Sequence, residues 1–205
     1  MKKILMLLTF AAMLCFGQNA GQDIWQLEQE CDNKNYESCF SLGIIYRDGM
    51  EVEQDSKKAV KYYEKSAEIS KKACDSGSAQ SCDHLSILYY SGYGVKKDYK
   101  KSAELLKKAC DGKYANSCIY LSNLYNYGIG VKQDSKKAVE YYEKGLEYHK
   151  KACDSGNAKN CYALAFLYRK GQEVEQDISQ AKKYYNKACN LGDQASCSIY
   201  EKLNN

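Results

Sequence analysis

The chain is 205 residues long, with 30 Lys and Arg against 26 Asp and Glu, a formal net charge of +4, and no proline. Its lysines are spread through the sequence without forming a block, which argues against nucleic acid as a partner. Beyond its first residues it has no apolar run of about eighteen or more, so no membrane span is expected there.

Residues 1–17 read as a cleavable secretion signal. Lys2 and Lys3 form a basic start, Ile4 to Phe16 is an apolar run, and Cys15-Phe16-Gly17 places small residues at positions −3 and −1 of a cleavage site. A lipoprotein signal acylated at Cys15 is the weaker alternative, because the preceding Leu14 is bulky. Removing residues 1–17 leaves ten cysteines, an even number, and a charge close to neutral. A secreted or periplasmic location is therefore expected. The segment 18–35 is expected to hold a partial helix, over about 24–31.

From there the ten cysteines form five C-x7-C pairs: Cys31 and Cys39, Cys74 and Cys82, Cys110 and Cys118, Cys153 and Cys161, and Cys189 and Cys197. Successive first cysteines are 43, 36, 43 and 36 residues apart, the mark of a repeat array. The repeats are placed at 36–77, 78–113, 114–156 and 157–192, with a C-terminal capping helix over 193–205.

Each repeat begins with a helix counted from its second cysteine. Leu stands at +3, a small residue at +4 (Gly43, Ser86, Ser122, Ala165), Ile or Leu at +6, Tyr at +7 and Gly at +10, which is helical spacing with a glycine stop. The loop that follows ends in an aspartate suited to cap the next helix: Asp55, Asp98, Asp134 or Asp177. The second helix carries apolar residues four, seven and eight positions beyond that aspartate, as in Ala59, Tyr62 and Tyr63. The 43-residue periods place seven extra residues in this second helix, nearly two turns, which keeps the following cysteine on the same face. An overhang of roughly 10 Å is expected from the two longer helices. The lysine runs Lys57-Lys58, Lys100-Lys101 and Lys136-Lys137 read as its solvated face.

The pattern L-x-x-[IL]-Y-x-x-G, a Gly/Val loop and Asp-x-x-x-Ala-x-x-Tyr-Tyr resembles the Sel-one-like repeat, a relative of the tetratricopeptide repeat, over about residues 24–203. With C-x7-C in each repeat behind a secretion signal, the chain is similar to the cysteine-rich secreted proteins of the Hcp β-lactamase family. The fold expected is an all-α, right-handed α/α solenoid of these repeats. One disulfide is expected within each cysteine pair; a redox or metal pair would favour C-x-x-C spacing or neighbouring histidines, and only His84 and His149 exist, in different helices. No metal and no cofactor are expected.

The resemblance implies β-lactamase activity, but no catalytic motif can be carried over and the catalytic residues stay unknown. One S-x-x-K occurs, Ser179-Gln180-Ala181-Lys182, without the companion motifs S-D-N and K-T-G. The alternative is a non-enzymatic scaffold, with the first helices lining a concave groove. At +1, +2, +5, +8 and +9 these helices offer Arg47, His84, Tyr90, Tyr120, Asn123, Asn126, Tyr127 and Arg169 as ligand-binding residues. Asparagine can hold an extended backbone through both donor and acceptor, while tyrosine supplies rigid apolar area. The partner expected is a β-lactam, a peptidoglycan-like peptide or a protein, bound by a monomer. A merely solvated helix face is the plain alternative for the same positions.

Overall fold

The computed structural model describes residues 24–50, 52–171 and 175–204; the secretion signal expected over 1–17 lies outside them. Among the described residues the chain forms ten helices and no strand. It divides into two compact units, residues 1–69 and 70–205.

The first unit contains α1 (Ile24–Asp32), α2 (Tyr36–Asp48) and most of α3 (Ser56–Asp75), which continues into the second. The Asn35 carboxamide accepts from the backbone N–H groups of Glu37 and Ser38 and starts α2. Gly49, in the left-handed region, ends it. Leu27, Cys31, Cys39, Leu42, Tyr63 and Ala67 are buried together in this unit. The absent side chain of Gly43 admits the ring of Tyr63, whose Cε1 lies 2.4 Å from where a Cβ would stand. Tyr46 stacks on Tyr62 with centroids 5.6 Å apart, and the Lys58 ammonium sits 4.8 Å from the Tyr46 centroid.

The second unit continues with α4 (Ala79–Ser91), α5 (Tyr99–Asp111), α6 (Ala115–Tyr127), α7 (Ser135–Asp154), α8 (Ala158–Lys170), α9 (Ile178–Asn190) and α10 (Gln194–Asn204). Each helix packs on the next in chain order. The loops between first and second helices are closed by one device: the N–H groups of Asp98, Asp134 and Asp177 donate to the carbonyls of Tyr89, Tyr125 and Tyr168 at 2.9–3.0 Å. The same aspartates cap α5, α7 and α9, accepting from Lys101, Lys137 and Gln180. The stack of the first unit recurs as Tyr125–Tyr141 and Tyr168–Tyr184, at 5.5 and 5.8 Å.

All five expected disulfides are present. Cys31 is bonded to Cys39, Cys74 to Cys82, Cys110 to Cys118, Cys153 to Cys161 and Cys189 to Cys197, with Cα atoms 4.6–4.8 Å apart. Each closes the short turn between a helix and its successor. That turn includes a residue with positive φ three positions after the first cysteine: Lys34, Gly77, Lys113, Gly156 or Gly192.

The two long helices, α3 and α7, have 20 residues where α5 and α9 have 13. The expected overhang of α7 is not a free one. Its buried stripe runs without a break through Ala138, Tyr141, Tyr142, Gly145, His149 and Cys153. Gly145 faces Ile119 of α6 closely enough that a Cβ would stand 2.4 Å from Ile119 Cδ1, and His149 Nδ1 lies 2.8 Å from Asn160 Oδ1 of α8. The added turns are packed on both neighbours because seven residues nearly complete two turns.

Gly130 sets the closest loop-to-helix approach in this unit. Its φ is +70°, and a Cβ there would lie 2.2 Å from the Tyr99 carbonyl oxygen. Gly130→Ala is expected to cost about 2–4 kcal/mol, the sum of left-handed strain and a backbone collision. Gly156→Ala, with φ +92° and no atom within 4 Å of a Cβ, is expected to cost only about 1 kcal/mol. Urea unfolding of the oxidised proteins separates the two, and equal costs would refute the collision.

Candidate functional site

Four of the expected ligand-binding residues lie on α6. Tyr120, Asn123 and Tyr127 follow each other at three and four positions and share one side of the helix, with Asn126 three beyond Asn123. Asn123 is half-buried, and its amide has no partner among the described residues. Tyr127 is 52% exposed at the end of the helix, just before the cap at Gly128. The Asn126 carbonyl accepts from Gln133 Nε2 at 2.8 Å.

The glutamines of the loops brace the first helices, a role that the sequence reading passed over. Gln54 holds the Arg47 carbonyl at 2.7 Å and Gln176 holds that of Arg169 at 2.6 Å, as Gln133 holds Asn126. Each fixes the backbone of a residue at +8 of a first helix. The signal was available: three of the four loops end in Gln-Asp.

α4 supplies His84 and Tyr90. Tyr90 and Tyr120 pack against the same core cluster of Leu106, Leu121, Leu124 and Tyr141, so the two tyrosines flank one interior. The Tyr90 ring meets that of Tyr99 at 5.0 Å, and burial, with Tyr99 beside it, raises its phenol above the ordinary value. His84 is half-buried, and desolvation pushes its imidazole down to about 3, so it is neutral at physiological pH. Arg169, on α8, lays its guanidinium over Phe166 at 5.6 Å and Tyr185 at 5.8 Å.

Arg47 belongs to the first unit. Its Nε and Nη2 both bond the Asp48 carboxylate at 2.7 Å, and these hydrogen bonds hold that carboxyl below its usual range. Arg47 is thus engaged by its neighbour in sequence.

Not every +1 or +5 position of the first helices is open. Ile44, Asp83 and Ile119 are buried. Ile119 is covered by Gly145 and packs with Tyr142 and Leu167. Asp83 accepts from Ser117 Oγ at 2.5 Å across the α4–α6 contact, and desolvation drives its carboxyl up to about 6 against the pull of that bond.

Ser38 donates to the Glu30 carboxylate and Ser117 to that of Asp83, both at 2.5 Å. The two serines are 4% and 0% exposed, so a substrate cannot reach them. Ser179 lies exposed in the first turn of α9. Among the described residues no group of three or more His, Cys, Asp or Glu could hold a metal ion, and no helix is long and apolar enough to cross a membrane.

The family model described as the Sel1 repeat matches residues 37–69, 79–114, 115–147, 143–157 and 161–193. No curated protein matches the chain. Among solved structures it is similar to cysteine rich protein B of Helicobacter pylori, at 31% identity over 74% of this chain and 98% of that one, with a TM-score of 0.40. It is also similar to a Sel1 repeat protein from Oxalobacter formigenes, at 25% identity over 82% of this chain and 63% of that one, with a TM-score of 0.45. Immunity protein Pa5087 from Pseudomonas aeruginosa is 21% identical over 84% of this chain and 59% of that one, with a TM-score of 0.50, a likeness of fold alone. The chain spans less than two thirds of the last two proteins.

The Asp83 carboxyl makes stability depend on pH with a definite sign. Folding raises it from 3.8 to about 6, so the folded protein holds the proton more tightly and stability falls as pH rises through that window. The loss is on the order of 3 kcal/mol above pH 6. His84 and His149 are lowered by burial and act oppositely, losing stability as pH falls below about 6.5. Asp83→Asn is expected to be more stable than the parent at pH 8 and about equal at pH 4. Urea unfolding at the two pH values tests this, and a difference independent of pH would refute it.

Proposed function

The chain belongs to the Sel1 repeat family, and from that premise we propose that it is an extracytoplasmic binding scaffold whose α6 face holds an extended peptide or peptidoglycan-like segment. Five disulfides fit an oxidising compartment. The observation that carries the reading is the unpartnered, half-buried amide of Asn123, standing between Tyr120 and Tyr127 on one side of α6. A primary amide can accept from a ligand N–H and donate to a ligand carbonyl. The flanking rings supply contact area at low entropic cost. Tyr90 of α4, on the same core cluster as Tyr120, supplies a further wall.

The rigid backing matters as much as the contacts. Gln133 fixes the end of α6, and Tyr125 beneath it is stacked on Tyr141 and topped by Lys137. A site supported in this way loses little entropy when a ligand orders it. Arg169, anchored over Phe166 and Tyr185, offers a cation in the same unit for a ligand carboxylate, whether a peptide terminus or the carboxylate of a β-lactam.

Hydrolysis of a β-lactam needs a reachable nucleophile with a base in hydrogen-bond contact. The serine–carboxylate pairs are buried and Ser179 has neither companion motif, so binding is the reading the geometry supports best.

Asn123→Ala combined with Asn126→Ala is expected to weaken binding of a muramyl pentapeptide, measured by titration calorimetry, by about tenfold or more while helicity is kept. Unchanged affinity would overturn the α6 face. The oxidised protein, prepared from a host without its own β-lactamases, is expected to leave penicillin intact. Turnover that disappears on reduction and unfolding would replace the scaffold with an enzyme.

A further inference from the structure

The loops between first and second helices are built to one plan, yet they differ in charge. At the fourth position after the helix-ending glycine stand Glu53, Lys96, Lys132 and Glu175 in the four repeats. After the capping aspartate come Lys57 and Lys58 in the first repeat, Lys100 and Lys101 in the second, Lys136 and Lys137 in the third, and Ser179 and Gln180 in the fourth. Lysine both in the loop and after the cap is therefore confined to the two middle repeats; the first repeat has the lysines after its cap but Glu53 in its loop.

The two basic stretches run side by side. Gly130, in the α6–α7 loop, abuts the start of α5 so closely that a Cβ would lie 2.2 Å from the Tyr99 oxygen and 2.8 Å from the Lys100 nitrogen. Lys96, Lys97, Lys100 and Lys101 from one stretch thus share an edge with Lys132, Lys136 and Lys137 from the other, and all seven are exposed. Lys97, Lys101 and Lys137 lean over the rings of Tyr99, Tyr89 and Tyr125 at 5.9, 4.7 and 5.3 Å. Lys96, Lys100, Lys132 and Lys136 make no ion pair among the described residues. The acidic groups here are the caps Asp98 and Asp134, whose carboxylates already accept from Lys101 N and Lys137 N, and Glu104, which acts on Lys101. Read from sequence alone, Lys100, Lys101, Lys136 and Lys137 are a solvated helix face; the contact at Gly130 brings them and the loop lysines into a single surface.

We propose that this edge docks an acidic polypeptide segment, with carboxylates set against the lysines of the second and third repeats. A run of like charge with few counter-charges attracts and steers an oppositely charged chain. A polypeptide fits better than a bilayer because the large apolar side chains exposed beside these lysines, Tyr99 at 40% and Val139 at 38%, are too few to form a face that enters a membrane. Five disulfides fit a compartment apart from nucleic acid. The proposal does not rest on the α6 face, since it uses none of its asparagines.

The test is fluorescence anisotropy of a fluorescein-labelled octaglutamate with the full, oxidised protein. Affinity is expected to fall steeply between about 20 and 300 mM salt, and at low salt to drop by about tenfold or more when Lys96, Lys100, Lys132 and Lys136 are all replaced by Ser. A control with Lys71, Lys150, Lys182 and Lys202 replaced by Ser loses the same charge elsewhere and is expected to bind as the parent does. Circular dichroism checks that both variants keep their helices. Asn123→Ala with Asn126→Ala is expected to leave octaglutamate binding unchanged, which keeps this result separate from that of the α6 face. The proposal is overturned by no binding at low salt, by an equal loss in the control, by loss in the asparagine variant, or by equal competition from octathymidylate or from vesicles containing phosphatidylserine.

Discussion

Everything in this molecule hangs on the junction between one helix pair and the next, where nine residues from cysteine to cysteine must reverse the chain and hold two helices against each other. A solenoid has no contacts between distant repeats, so its stability is a sum of local terms and of the interfaces between neighbours. A disulfide at each junction strengthens the term on which the array is weakest. Closing a loop of this length contributes about 2–3 kcal/mol in the chain-entropy account. Four of the five bridges are buried, so they also serve as small apolar bodies in the cores they join. With the junctions fixed, the tyrosine stacks and capping aspartates only have to set the tilt and register of helices already brought together.

Local chemistry made much of this legible in the sequence. Glycine at +10, aspartate at the loop end and leucine at +3 each act within one turn of where they stand, so their spacing gives helix, stop and cap directly. The disulfides were legible for the same reason, since Cys82, Cys118, Cys161 and Cys197, like Cys39, each lie eight positions from their partner. What escaped the sequence depended on distant partners. Asp83 looks like a groove residue until Ser117, 34 positions away, is found donating to it in the interior. The inner face of the long α7 becomes core only because Ile119 and Asn160 meet it from neighbouring helices. The lysine edge is invisible until Gly130 brings one loop against the start of another repeat's helix.

The candidate sites share a design. Residues that face outward on α6 and along the lysine edge are backed by parts that cannot easily move: a glutamine on a carbonyl, a stacked pair of rings, a loop pinned by a tyrosine carbonyl. The Asp83 carboxyl stands apart, a charge taken into the interior and held by a single hydroxyl; it favours acid, while the buried imidazoles of His84 and His149 in the same unit oppose it.

The unbroken stripe on α7 has a consequence for how such arrays can be built. Seven added residues turn a helix through almost two full revolutions, so the cysteine at its end still faces its partner. An addition of five would swing that cysteine more than a quarter turn away and part the bridge. Lengthening is therefore quantised, and the short and long repeats behave as bricks of two sizes with the same mortar joint. An engineer could alternate them at will to set the spacing between successive first helices, drawing graded binding surfaces from a single set of parts.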